Sequence, residues 1–265
     1  MGVWDGSRMA PFRVIFLPGS VLPGDLAYGS LMAALGPVTD AVVKELEVYA
    51  TVEAPPDYTL ELEVGGVLRD ADHRGWDRFH LVGYSGGGAA ALAFAARHSE
   101  RLASLALLEP AWAGRWDLSP VEQALWREYD RLDALPPDQF MRTFMRLGVK
   151  PGVELPPPQA GDPPPWMAKR PGGIRAFMKT FKTYELDRDA LARFDRPVYF
   201  ALGALSNPDQ YGAIATRLSH VFPDFELEVF EERHHFDPPH RIEHERLSDS
   251  LRALWRRADR VEPAP

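Results

Sequence analysis

Residues 80–96 read HLVGYSGGGAAALAFAA, which sets a single serine, Ser85, between Gly83 and Gly87. A serine becomes a nucleophile at neutral pH only when a base within hydrogen-bond reach takes its proton, and a carboxylate is needed to orient that base. The chemistry open to such a group is attack on a carbonyl carbon. Histidine is the first choice of base, because its ordinary pKa lies near working pH, and eight histidines compete. The segment FEERHHFDPPHR follows the last predicted strand and offers His235 first and His234 second.

These groups react only if the fold brings them together. Leu81 and Val82 end a short apolar run and residues 89–96 are strong helix formers, so the chain must turn sharply over 83–87 with Ser85 at the apex. Such an apex pushes its residue toward strained backbone angles and leaves no room for side chains two positions away, which explains the flanking glycines. This is the G-x-S-x-G pattern, in which the following helix N-terminus aims N–H groups and the positive end of its dipole at the reacting carbonyl.

Strand-like and helix-like stretches alternate along most of the chain. RVIFLPG (13–19), AVVKELEVY (41–49) and FHLVGYS (79–85) read as strands, with a helix over TLELEVGGVLRDAD (59–72). LASLALLEP, PVYFALGAL and FELEVFEE follow as strands, and ERLSDSLRALWRRA closes the chain as a helix. The pattern predicts an α/β fold, a mostly parallel sheet with helices on both faces. Between 111 and 193 the helical pattern runs on without strands, rich in tryptophan, phenylalanine and methionine. The expected organisation is a core of residues 1–110 and 194–265 with a helical cap inserted at 111–193. ELPPPQAGDPPPW (154–166) reads as an extended connector over the cap, with a docking site for a proline-recognising module as the alternative.

Composition narrows the partners. The 265 residues, 45% of them hydrophobic, suffice for one large α/β domain. A formal net charge of −8 argues against nucleic acid or an anionic membrane surface as partner. The absence of cysteine removes disulfides, thiolate catalysis and cysteine-ligated metals. MGVWDGSRMAPF lacks a secretory pattern and no apolar run approaches the ~20 residues of a membrane span, so the expectation is a cytoplasmic protein. No H-E-x-x-H occurs, and neither metal nor cofactor is expected. Gly19 and Gly24 have the spacing of a phosphate-binding loop, but Asp25 and Leu26 stand where lysine and serine or threonine are required. In DQFMRTFMRLG, Phe140, Met141, Phe144 and Met145 share one helix side and Arg142 and Arg146 the other. A cap that lays the apolar side over a site mouth favours an apolar acyl or aromatic small molecule as substrate.

The elbow, the VIFLPGS strand-turn and the late HHF together resemble the α/β-hydrolase fold superfamily, in a member with a helical cap, over nearly the full chain. The resemblance implies the order nucleophile, acid, histidine, and its late G-H-F segment maps onto His234, His235 and Phe236, so His235 is the implied catalytic histidine. It also implies an oxyanion hole formed by the backbone amide of Gly86 and one from LPGSVLPG, where Pro18-Gly19 stands for the family's His-Gly pair. Ser20 is then the second donor, with Val21 next; Tyr84, next to Ser85, and Phe140 and Phe144, on the apolar side of the cap helix, are the expected substrate neighbours. The family's usual acid position, three residues after Gly203, is occupied by Ser206, which cannot orient a histidine as a carboxylate does. Glu109 resembles the acid of a subset, some haloalkane dehalogenases among it, that takes it from the earlier strand end; Asp209 remains the alternative. Dehalogenation itself needs a carboxylate where Ser85 stands. The implied activity is a serine hydrolase working through a Ser-His-acid triad and an acyl-enzyme on a small apolar ester, thioester or related acyl substrate. The alternatives are a ligand-binding protein that keeps the fold without efficient turnover and a carbon–carbon bond hydrolase.

Overall fold

The six apolar runs all enter one sheet. In this computed structural model, which describes residues 11–155 and 162–261, they form β1 (Phe12–Leu17), β2 (Thr39–Val43), β3 (Phe79–Tyr84), β4 (Leu102–Leu108), β5 (Val198–Gly203) and β6 (Phe225–Phe230). The spatial order is β2-β1-β3-β4-β5-β6 and every neighbouring pair is parallel. A parallel sheet is covered on both faces, which is why the inner strands β1, β3, β4 and β5 read as nearly continuous apolar runs, while the edge strands β2 and β6 are partly exposed. Ile15, Leu17, Leu81, Leu105 and Leu107 face one layer, Val14, Phe16, Val82, Ala106 and Leu108 the other. The helices are α1 (Gly24–Leu35), α2 (Leu60–His73), α3 (Gly86–Arg97), α4 (Pro120–Arg131), α5 (Pro137–Leu147), α6 (Arg170–Thr183), α7 (Arg188–Ala192), α8 (Ala213–Ser219), α9 (Pro239–Ile242) and α10 (His244–Val261). Helices α1 and α10 cover one face, and α2, α3, α7 and α8 cover the other.

Because all six strands run the same way, their carboxyl ends meet at one edge, where α/β sheets hold their ligands. Ser20, Ser85, Glu109, Ser206 and His235 each follow the end of a different strand. Over this edge lie α4, α5 and α6, with a small apolar core of Tyr129, Leu132, Phe140, Ile174 and Met178 against which Val21 and Phe144 pack. The insertion enters α4 through a capping box: Ser119 Oγ accepts from the Glu122 N–H at 3.2 Å and the Glu122 carboxylate accepts from the Ser119 N–H at 2.9 Å. Helix α7, at the end of the expected insertion, packs on α3 instead, with Leu191 in the core. Residues 156–161 of the proline-rich stretch lie outside the described residues, as do 1–10 and 262–265.

The strand predicted over 41–49 is shorter than expected. Ladder pairing stops at Val43, and a tight turn over Glu47–Tyr49 follows. The competing interaction is the buried Glu63 carboxylate, which accepts from the Glu47 N–H at 2.8 Å and the Val48 N–H at 3.1 Å and draws those amides away from the sheet. No helix among the described residues is long and apolar enough to cross a membrane.

Two histidines buried in the core make the fold sensitive to acid. His80 packs against Phe12 and Trp255, and His240 lies between Tyr28 and Tyr84. Burial pushes both imidazoles down to about 3, with Arg78 adding to the effect at His80, and Arg241 and His235 at His240. Asp259, 3.7 Å from His80 Nε2, does not offset that burial. Since an unfolded histidine titrates near ~6.5, the unfolded chain binds more protons than the fold between that pH and about 3. Stability is therefore complete above the unfolded value and falls with pH through this window, by about 1.4 kcal/mol per pH unit for each histidine. Urea midpoints measured at stepped pH should drop steeply below pH ~6; midpoints level down to pH ~4 would contradict this account of the two histidines.

Candidate active site

Ser85 sits between β3 and α3 with φ 52° and ψ −116°, a strained setting for a residue with a side chain. The strain is imposed by packing. A Cβ on Gly87 would come within 2.4 Å of the Pro18 carbonyl oxygen, and one on Gly83 within 2.5 Å of the Gly87 carbonyl oxygen. Backbone bonds then hold the turn: the Ser85 N–H donates to the Leu108 oxygen at 3.1 Å, and the Ala111 N–H donates to the Ser85 oxygen at 2.8 Å.

From Ser85 a hydrogen-bonded chain runs inward. Its Oγ lies 2.9 Å from His235 Nε2, and His235 Nδ1 lies 3.0 Å from Glu109 Oε2. The second oxygen of Glu109 accepts from the Gly203 N–H at 2.7 Å, so both carboxylate oxygens are engaged. An ionised carboxylate only accepts, which puts the imidazole proton on Nδ1 and leaves the Nε2 lone pair facing the serine hydroxyl. The chain is shielded: Ser85, His235 and Glu109 are 6%, 1% and 3% exposed. Glu109 itself has φ 46°, a second strained residue in the same site. Asp209 is exposed on the helical turn over Pro208–Gly212, where its N–H donates to the Asn207 side chain at 3.0 Å. Ser206, at the position where the resemblance expects the acid, is buried and its hydroxyl has no partner among the described residues.

His235 is fixed from all sides. Its loop is clamped by Arg233, which pairs with Asp237 at 2.6 Å and Glu243 at 2.9 Å. His234 serves the loop, accepting from the Phe236 N–H at 3.1 Å, and burial holds its pKa below the ordinary value, partly offset by Asp237 and Glu109. The Tyr211 ring stacks on the His235 ring at 4.2 Å and 14°. Tyr84, expected beside the substrate, instead donates its hydroxyl to the His235 carbonyl oxygen and packs its ring 5.0 Å from the imidazole. Burial raises the phenols of Tyr84 and Tyr211 well above their usual range, so both stay neutral beside the histidine. Tyr211 had no local signal in the sequence, because its neighbour is 24 positions away and only the fold joins them.

At the mouth, Gly86 is the first residue of α3, whose amide has no acceptor within the helix. A Cβ there would meet Ser20 Oγ at 2.4 Å and the Phe177 ring at 3.3 Å, which places the Ser20 turn and α6 directly against the elbow. Phe140 does not line this mouth: it is fully buried in the insertion, with the Arg175 guanidinium 4.1 Å from its ring centroid. Phe144 reaches Phe236, which meets the His235 ring edge-on at 5.0 Å. A cavity of about 580 Å³ in the insertion is lined by Trp112, Trp126, Met178 and Phe181 together with the charged Arg115, Asp117, Arg127, Asp130 and Lys182, and by none of Ser85, His235 and Glu109. Trp112 and Phe181 stack at 5.2 Å, and Phe181 touches Phe177, the ring over Gly86. The arrangement can move a proton from the serine hydroxyl to an imidazole and hold the resulting positive charge against a carboxylate.

A family model described as the alpha/beta hydrolase fold matches residues 71–237. The chain is similar to an esterase from Exiguobacterium antarcticum, at 16% identity, a TM-score of 0.69 and coverage of 93% of this chain and 92% of the other. It is similar to a thermophilic esterase from Thermogutta terrifontis, at 20% identity, TM-score 0.67 and coverage of 94% and 91%. It is similar also to a meta-cleavage product hydrolase from Pseudomonas fluorescens, at 16% identity, TM-score 0.62 and coverage of 94% and 92%. At these identities the likeness is one of fold. No curated protein matches the chain by sequence.

Proposed function

Because the chain belongs to the α/β-hydrolase fold family, we propose that it is a serine hydrolase that cleaves a small, apolar ester, thioester or related acyl substrate. The unbroken hydrogen-bonded chain from Ser85 through His235 to Glu109 supports this reading most directly. In the proposed mechanism, Ser85 Oγ attacks the carbonyl carbon as His235 Nε2 takes its proton, and Glu109 holds the imidazolium. The amides of Gly86 and of the Ser20 turn bind the oxyanion, the leaving group departs with the proton from His235, and water activated by the same imidazole releases the acyl group. The helical insertion acts as the cap, and the Phe177 ring against Gly86 and the Phe144–Phe236 pair beside His235 take the apolar part of the substrate. No cofactor enters this scheme.

The test is hydrolysis of a series of p-nitrophenyl acyl esters, with acid-quenched samples examined by mass spectrometry. The expected result is turnover together with an acyl adduct on the peptide that contains Ser85. Cleavage of a vinylogous dicarbonyl without esterase activity would replace the reading with carbon–carbon hydrolysis, and the absence of turnover and adduct with either class would leave a ligand-binding protein.

A further inference from the structure

The Tyr49 hydroxyl donates to the Ser20 carbonyl oxygen at 2.7 Å. In a trans peptide the carbonyl and the following N–H point in opposite directions, so this one bond also fixes where the Val21 N–H points. Burial raises the Tyr49 phenol well above its usual range, and the hydroxyl remains a donor throughout working pH. The turn that carries Tyr49 is anchored in the core by Glu63, which binds two of its amides and accepts from the Tyr58 hydroxyl at 2.9 Å.

The rest of Tyr49 belongs to the insertion. The Arg170 guanidinium lies 4.0 Å from its ring centroid, Lys169 Nζ donates to its carbonyl oxygen at 2.6 Å, and a Cβ on Gly173 would stand 2.1 Å from its Cε1. Arg170 is 1% exposed, its Nε and Nη1 have no hydrogen-bond partner among the described residues, and its ion pair to Glu45 is long at 3.4 Å, so the Tyr49 ring at 4.0 Å, with Trp166 further off at 5.7 Å, is its nearest ring contact. Four residues on from Gly173, Phe177 rests against Gly86. Helix α6 thus touches both halves of the oxyanion site, one directly and one through Tyr49.

We propose that Tyr49 is a positioning residue that couples the seating of α6 to the oxyanion turn. With the insertion seated, Tyr49 holds the Ser20–Val21 peptide so that the Val21 N–H faces the oxygen of the reacting carbonyl; with it lifted, the peptide is released and that donor is lost. The inference rests on the serine hydrolase reading and adds to it a reason why chemistry waits for the cap.

Kinetics of Tyr49→Phe, Gly173→Ala and the double variant on one acyl ester test it. Phenylalanine keeps the ring and its contacts with α6 and removes only the bond to Ser20. The expected result is a kcat lower by about tenfold, the worth of about one hydrogen bond, with KM within about twofold. Gly173→Ala, which displaces the ring, should lower kcat by a similar factor in the wild type and by little more in the Tyr49→Phe background. If its melting curve shows that Gly173→Ala does not fold, Arg170→Met takes its place in the same cycle. A wild-type kcat for Tyr49→Phe, a change in KM alone, or equal losses from Gly173→Ala in both backgrounds would overturn the coupling. Failure of the hydrolase reading is visible separately, as a rate that survives Ser85→Ala.

Discussion

Ser85→Ala is expected to lower turnover of an activated ester by about a millionfold while leaving the melting temperature near that of the wild type. The fold is retained because the β-carbon stays and the hydrogen bond removed is the hydroxyl's 2.9 Å bond to His235. Activity disappears because Ser85 carries the hydroxyl that is hydrogen-bonded to the base, His235 Nε2. His235→Ala should match this loss, since a nucleophile without its base is as disabled as a base without its nucleophile. His234→Ala should cost far less, because that imidazole accepts a bond from the Phe236 amide and faces the loop. Equal losses at His234 and His235 would mean that the loop geometry, and not the imidazole, is what the chemistry needs.

The second large effect is expected at the acid. Glu109→Gln should reduce turnover by about 10⁴-fold. An amide in that place still accepts from the Gly203 N–H with its oxygen, which turns its NH₂ group toward His235 Nδ1. The imidazole must then accept at Nδ1 and carry its proton on Nε2, where it no longer has a lone pair for the Ser85 hydroxyl. The imidazolium formed during reaction also loses its counter-charge. Asp209→Asn should change turnover by less than about tenfold, since its carboxylate is exposed on a separate turn. The discriminating measurement is kcat/KM for both variants, each shown by circular dichroism to be folded; a crippled Asp209→Asn beside an active Glu109→Gln would reverse the assignment.

Much of this site is legible in the sequence because its signals are local. The Gly83-x-Ser85-x-Gly87 spacing records a steric fact, the approach of the Gly87 and Gly83 α-carbons to carbonyl oxygens, that any other residue would violate. The four inner strands, β1, β3, β4 and β5, are legible because a parallel sheet buried on both faces demands continuous apolar runs, and the edge strand β6 shows instead as an alternation of apolar residues with Glu226 and Glu228. Helix α1 is not legible: Gly24 and Gly29 dilute its propensity, and the packing of Ala27, Tyr28, Leu31 and Leu35 beneath the sheet holds it. The end of β2 is hidden for a different reason, since the Glu63 carboxylate that ends it lies 16 residues from Glu47. Glu109 and Asp209 are equivalent as letters; the helical turn after Asn207 carries Asp209 to the surface, and the end of β4 delivers Glu109 beside the elbow. The same holds in the insertion, where helical spacing places Phe140 and Phe144 on one side but cannot say that the first is buried under Arg175 and the second reaches Phe236. Tyr49 and Tyr211 act across sequence distances that carry no periodic signal at all.

The central claim is that Ser85 is an activated nucleophile, and a fluorophosphonate probe followed by peptide mapping tests it most directly. The probe reacts with serines whose proton is being taken by a base, so it reports activation and position in one step. The account predicts a single modification on the peptide that carries Ser85, lost in His235→Ala and strongly slowed in Glu109→Gln. Labelling at another serine, or none under conditions where the protein is folded, would contradict it.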